Sequence, residues 1–117
     1  MSRPTRPISW FTAARKDFEE FPEPARIEFL AALTIAAEGG KADTAKPLKG
    51  FGSGIIEIAV RHRGDAFRLV YAVQMGQDVW VFHAFQKKSK KGIETPHREL
   101  QLVRERIQRL KEYLRNG

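Results

Sequence analysis

Ile55-Ile56-Glu57-Ile58-Ala59-Val60-Arg61-His62-Arg63-Gly64-Asp65-Ala66-Phe67-Arg68-Leu69-Val70-Tyr71-Ala72-Val73 is the stretch on which the fold turns. Ile56, Ile58 and Val60 alternate with Glu57, Ala59 and Arg61, the period of two in which successive side chains face opposite sides of a sheet. Beyond Arg63-Gly64-Asp65 the alternation resumes, with Phe67, Leu69, Tyr71 and Val73 set against Arg68, Val70, Ala72 and Gln74. Two such runs joined by a short turn containing glycine predict a β-hairpin. The hairpin also accounts for Arg63-Gly64-Asp65, which matches a cell-adhesion tripeptide by letter only.

Downstream, Met75 to Asp78 reads as a turn, and Val79 to Phe85 is an apolar, aromatic and β-branched run suited to a buried central strand. Both of its phases are apolar, so its facing stays ambiguous. Thr95 can cap a helix and Pro96 suits its first turn, after which Leu100, Val103, Ile107, Leu110 and Leu114 form one stripe. Upstream, Lys41 to Gly54 lacks any period and reads as a loop, with Gly50, Gly52 and Gly54 a flexible entry to the strand. These glycines precede a strand instead of joining a strand to a helix, so they do not make a nucleotide-binding loop. Phe11, Ala14, Phe18 and Phe21 mark one amphipathic helix, and Pro22 and Pro24 separate it from a second. Ile27, Leu30, Leu33 or Thr34, and Ala37 are the expected stripe of that second helix, which Gly39-Gly40 ends. Pro7 to Trp10 is a short strand. The expected fold is α+β: a small antiparallel sheet in the order β-α-α-β-β-β-α, a meander covered on one face by an N-terminal helical hairpin and a C-terminal helix.

The length of 117 residues suits one domain spanning 1–117. At 42% hydrophobic, with eight Phe and two Trp, the chain holds enough apolar material for a core and is not disordered throughout. Without cysteine it forms no disulfide, thiolate metal site or cysteine nucleophile. His62, His83 and His97 lack ligand spacing, so no metal and no cofactor is expected. No stretch approaches the length of a membrane span, and the first residues lack the apolar centre of a signal peptide, so a cytoplasmic protein is expected. The net charge of +7 is uneven. Residues 1–40 sum to −1, and residues 41–117 sum to +8. Such a surplus favours polyanions.

On the hairpin face away from Ile56, Ile58 and Val60, the alternation gathers Glu57, Arg61 and Arg68. If Val79, Val81, His83 and Phe85 share that face, an imidazole and an aromatic ring join them. The bland reading is a solvated face with Glu57 paired to an arginine across the hairpin. Directly after this strand comes Gln86-Lys87-Lys88-Ser89-Lys90-Lys91-Gly92, four lysines in five positions. Lysines at that density attract phosphates, and a ring such as Phe85 can stack on an unpaired base. Alternatively they form a solvated loop that guards the sheet edge.

Several blocks in this order resemble the HigB-like branch of the RelE/ParE toxin superfamily of type II toxin–antitoxin modules. They are Ala14-Arg15-Lys16-Asp17-Phe18, Ala45-Lys46-Pro47-Leu48-Lys49-Gly50-Phe51-Gly52, Phe67-Arg68-Leu69-Val70-Tyr71, and His83-Ala84-Phe85-Gln86-Lys87-Lys88-Ser89-Lys90 followed by Thr95-Pro96. The resemblance implies a RelE-like fold and a metal-independent endoribonuclease that cuts mRNA on the ribosome. In such enzymes the RNA's 2′-hydroxyl attacks the adjacent phosphate. It also implies a cognate helix-turn-helix antitoxin, with the toxin a monomer or part of a hetero-oligomer with it. By the same resemblance, Arg68 grips the scissile phosphate, Lys87 and Lys88 are the basic pair after the last strand, and His83 is a proton shuttle. From the residues themselves, Arg61, Phe85, Lys90 and Lys91 are the candidate RNA contacts. The RelE-type tyrosine beyond the basic pair is absent from Ile93-Glu94-Thr95-Pro96-His97: either His97 or His83 substitutes, or the reaction is slow, or the target differs, and Glu57 is a further candidate base. The alternatives are a ParE-like inhibitor of DNA gyrase that cuts no RNA, and an inactive RNA-binding relative.

Overall fold

A computed structural model describes residues 5–52, 54–87 and 95–116. Among them the chain forms β1 (Ile8–Trp10), α1 (Thr12–Glu19), α2 (Glu23–Ala37), β2 (Ala45–Pro47), β3 (Ile55–His62), β4 (Asp65–Ala72), β5 (Val79–Lys87) and α3 (His97–Asn116). The α+β class and the β3–β4 hairpin follow the expectation, with Ile58 opposite Leu69, but Asp65, read as part of the turn, pairs with His62 as the first residue of β4. Its two turn residues, Arg63 and Gly64, have φ of 51° and 85°. Positive φ at both centres bends a two-residue loop with the same hand as the twist of the strands it joins.

The topology corrects the expected meander in three ways. Residues 45–47, read as loop, form an edge strand antiparallel to β3. Three residues are too few for a period to show in sequence. β1 pairs parallel to β5, so the five strands run β1-β5-β4-β3-β2 in a mixed sheet. The helices also cover both faces. α1 and α2 pack on Ile56, Ile58, Val60, Phe67, Leu69 and Tyr71, whereas Val103 and Leu110 of α3 pack on Val70, Ala72 and Phe82 from the other side. The second face is apolar at one end, where Val70 and Ala72 point outward, and α3 buries that end.

α2 keeps half of its expected stripe: Leu33 and Ala37 are buried, but Ile27 and Leu30 are exposed, and Ala25, Phe29, Ala32 and Ala36 turn inward in their place. Both stripes obey a helical period, and Phe29 decides between them by packing on Phe18 and Phe21 of the preceding segment. No helix among the described residues is long and apolar enough to cross a membrane.

Candidate functional site

β5 changes phase part-way along. Tyr71 lies opposite Val81 but Val70 lies opposite His83, so Phe82 is an extra residue on β5, a β-bulge. Ahead of the bulge Val79 and Val81 face the α1–α2 core; at and beyond it Phe82 and His83 face α3. An extra residue in one strand reverses the alternation. The strand that looked apolar in both phases is therefore apolar toward both helical layers.

Past the bulge, three cross-strand rows share the second face. Glu57, Val70 and His83 form one, Ala59, Arg68 and Phe85 the next, and Arg61, Ala66 and Lys87 the last. Opposite residues in such rows lie about 5 Å apart, within reach of one another's side chains. The structure thus brings Glu57, Arg61 and Arg68 onto one surface, as the alternation predicted, and the bulge adds His83, Phe85 and Lys87 to it. Val79 and Val81 are the members of the expected set that the bulge sends to the other side. Lys88, Lys90 and Lys91 lie outside the described residues. His97 is exposed at the first residue of α3, two positions beyond Thr95.

Arg68 Nη1 donates to Glu57 Oε1 at 2.6 Å, and the Thr95 hydroxyl donates to Glu57 Oε2 at 2.5 Å. Thr95, expected as a helix cap, instead directs its hydroxyl to the carboxylate of β3, two residues before α3 begins. These groups line a cleft of about 660 Å³, with Lys46 and Lys49 on its β2 side. Leu48 between the lysines is buried, which turns both cations outward along the cleft. Gly50, with φ of 90°, ends that segment in a conformation that side-chain-bearing residues rarely adopt. Three cations and a carboxylate in a half-buried groove can hold a phosphate and accept a proton beside it. Among the described residues, no group of three or more His, Asp or Glu is placed to hold a metal ion.

His83 is 3% exposed and sits within a chain of polar groups. Arg106 Nη1 donates to His83 Nδ1 at 3.0 Å and to the Phe82 carbonyl at 2.8 Å. A guanidinium has donors only, so Nδ1 accepts and the ring proton is on Nε2, which donates to Glu99 Oε1 at 2.6 Å. Burial lowers the imidazole's pKa from its ordinary 6.5, with the Glu99 hydrogen bond opposing the shift and the Arg106 charge adding to it. The ring is neutral with both nitrogens engaged. Phe85 stacks on it with centroids 5.1 Å apart and an interplanar angle of 23°, and is itself buried.

Reading the sequence did not assign Lys46, Lys49, Thr95, Glu99 or Arg106 to this surface. The one available signal was Lys46-Pro47-Leu48-Lys49, two cations around a single apolar residue. The contacts of Glu99 and Arg106 depend on how α3 lies across the bulge, and no local pattern encodes that.

No curated protein matches the chain. A protein-family model, Phage derived protein Gp49-like (DUF891), matches residues 16–108, which take in every residue of the cleft and of the His83 chain named above. A match over most of the length, on the segment that carries the fold and the cleft, means that the chain belongs to the Gp49-like family of phage-derived proteins.

Proposed function

We propose that the chain is a HigB-like toxin with a RelE-like fold, acting as a metal-independent endoribonuclease on mRNA at the ribosome. The Gp49-like family is associated with RelE and toxin-like proteins, which supports the toxin reading. The observation that carries the nuclease reading is the Arg68–Glu57 pair inside a cleft edged by Lys46 and Lys49.

In this mechanism Arg68 and the two lysines bind the scissile phosphate, and Glu57, released from Arg68 as the phosphate takes its place, removes the proton from the 2′-hydroxyl. The 2′-oxygen forms a bond to phosphorus and the bond to the 5′-oxygen breaks, leaving a 2′,3′-cyclic phosphate and a 5′-hydroxyl. The 5′-oxygen takes its proton from the basic pair Lys87 and Lys88. Cations already in place stabilise the charge that gathers on the phosphate without reorganising. Arg61, Lys90 and Lys91 supply further phosphate contacts. His83 holds β5 to α3, and to shuttle a proton it must first exchange its contact with Glu99. A helix-turn-helix antitoxin would silence the protein in the cytoplasm by covering the cleft.

One observation favours a relative that binds RNA without cutting it: the imidazole of His83 is buried with both nitrogens engaged. Inducing the chain without antitoxin separates the readings. Growth arrest with transcripts ending in 2′,3′-cyclic phosphates, resistant to chelator and relieved by Arg68→Ala, is the expected result. Arrest with intact mRNA and altered DNA supercoiling would point to gyrase instead, and RNA binding with no cleavage to an inactive relative.

A further inference from the structure

Both tryptophans of the chain, Trp10 and Trp80, line one cleft between α1 and α3, and it shares no residue with the cleft that holds Arg68. Its volume of about 590 Å³ lies within the range of ligand-binding pockets. Phe11 and Tyr113 stand edge-on to Trp80, with ring centroids 6.1 and 6.3 Å away. Tyr113 is 65% exposed, a large ring that the fold itself does not bury. Lys16, Arg106 and Arg109 complete the wall, and among the described residues no carboxylate lines it. Arg106 is tied to the sheet through the Phe82 carbonyl, whereas Lys16 and Arg109 are exposed, with Arg109 5.8 Å from the centre of the Phe11 ring.

We propose that this cleft is a second RNA contact, which stacks an unpaired base against Trp80 and Tyr113 while Lys16 and Arg109 neutralise the flanking phosphates. The choice of RNA as the polyanion rests on the function proposed above; the site itself does not require cleavage. An acidic peptide would satisfy the cations but offers no flat ring in every repeat. A single-stranded nucleic acid supplies a charge and a ring face in each unit, which is what a wall of aromatics edged by cations recognises. From Leu100 at the first cleft to Arg109 at the second, α3 rises about 14 Å, so one strand can reach both.

Because the chain has no other tryptophan, its intrinsic emission reports on this cleft. Titrating the full-length protein with a short 2′-O-methyl oligouridine, which lacks the attacking hydroxyl, should quench that emission saturably, and less so in higher salt. Tyr113→Ala should weaken the binding about tenfold, as should a Lys16→Ala/Arg109→Ala double change. Tyr113→Phe should retain it. An unchanged emission while the anisotropy of labelled RNA shows saturation would overturn the second site and leave the first cleft standing. Quenching by a Phe-containing acidic peptide and not by RNA would overturn it in favour of a protein partner. Normal quenching in a protein that never cleaves RNA would uphold the second site and sink the nuclease reading.

Discussion

Arg68 and Glu57 face each other across neighbouring rows of the sheet with both side chains 13% exposed. At that burial a pair is screened less than a surface one, and losing one member leaves the other poorly solvated. Arg68→Ala is expected to lower stability by about 1–3 kcal/mol and to abolish cleavage, whereas Glu57→Gln/Arg68→Gln together cost less than the sum of the two single changes. Urea unfolding of the four proteins measures the coupling. His83 makes stability depend on pH. Its folded pKa is depressed, so the unfolded state binds the proton more readily. The stability contributed is whole above 6.5 and is lost as pH falls through the lowered folded value. The urea midpoint should therefore drop on acidification below pH 6.5, and His83→Gln, which cannot titrate, should flatten that part of the profile. An identical pH profile in both proteins would refute the assignment.

At the scale of elements, the two faces of α2 give a direct contrast. Phe29 and Leu33 are fully buried against the sheet layer, and Phe29→Ala is expected to cost about 3–5 kcal/mol. Ile27→Ala, at a site 59% exposed, should change stability by no more than about 0.5 kcal/mol. Had Ile27 and Leu30 joined Leu33 in the buried stripe, Ile27→Ala would cost several times that. The β3–β4 turn makes a second case. Arg63 holds a left-handed φ of 51°, which costs a residue with a long side chain about 1 kcal/mol and asparagine less. Arg63→Asn is expected to raise the thermal midpoint by a few degrees, and Gly64→Ala, at φ of 85°, to lower it.

For the molecule as a whole, the uneven charge governs association. The surplus beyond residue 40 includes Lys46, Lys49, Arg61, Arg68 and Lys87 around one sheet face, with Arg106 and Arg109 on the helix that crosses it. RNA affinity should fall steeply between 50 and 200 mM salt, with log K linear in log salt, because binding releases counterions from the phosphates. Reducing the count of cations by Lys46→Ala/Lys49→Ala should make that slope shallower. A slope indifferent to this change would place the phosphate contacts elsewhere. Helices on both faces of the sheet confine contacts made by the strands themselves to the end that α3 leaves to Glu57, Arg68 and the lysines.

Period-two alternation on either side of Arg63-Gly64-Asp65 determined the hairpin and the shared face of Glu57, Arg61 and Arg68, because strand geometry is a local property of successive residues. The helical stretches were legible for the same reason. What tertiary structure alone decided was which way ambiguous elements turned. Val79 to Phe85 is apolar throughout, and only a bulge against β4 sends Val81 to one core and His83 to the other. α2 carries two apolar stripes, and only the rings of Phe18 and Phe21 choose between them. The parallel pairing of β1 with β5 joins segments about seventy residues apart, with Ile8 opposite Val79. Local patterns cannot select such pairings, since burial of apolar surface is settled between elements distant in sequence.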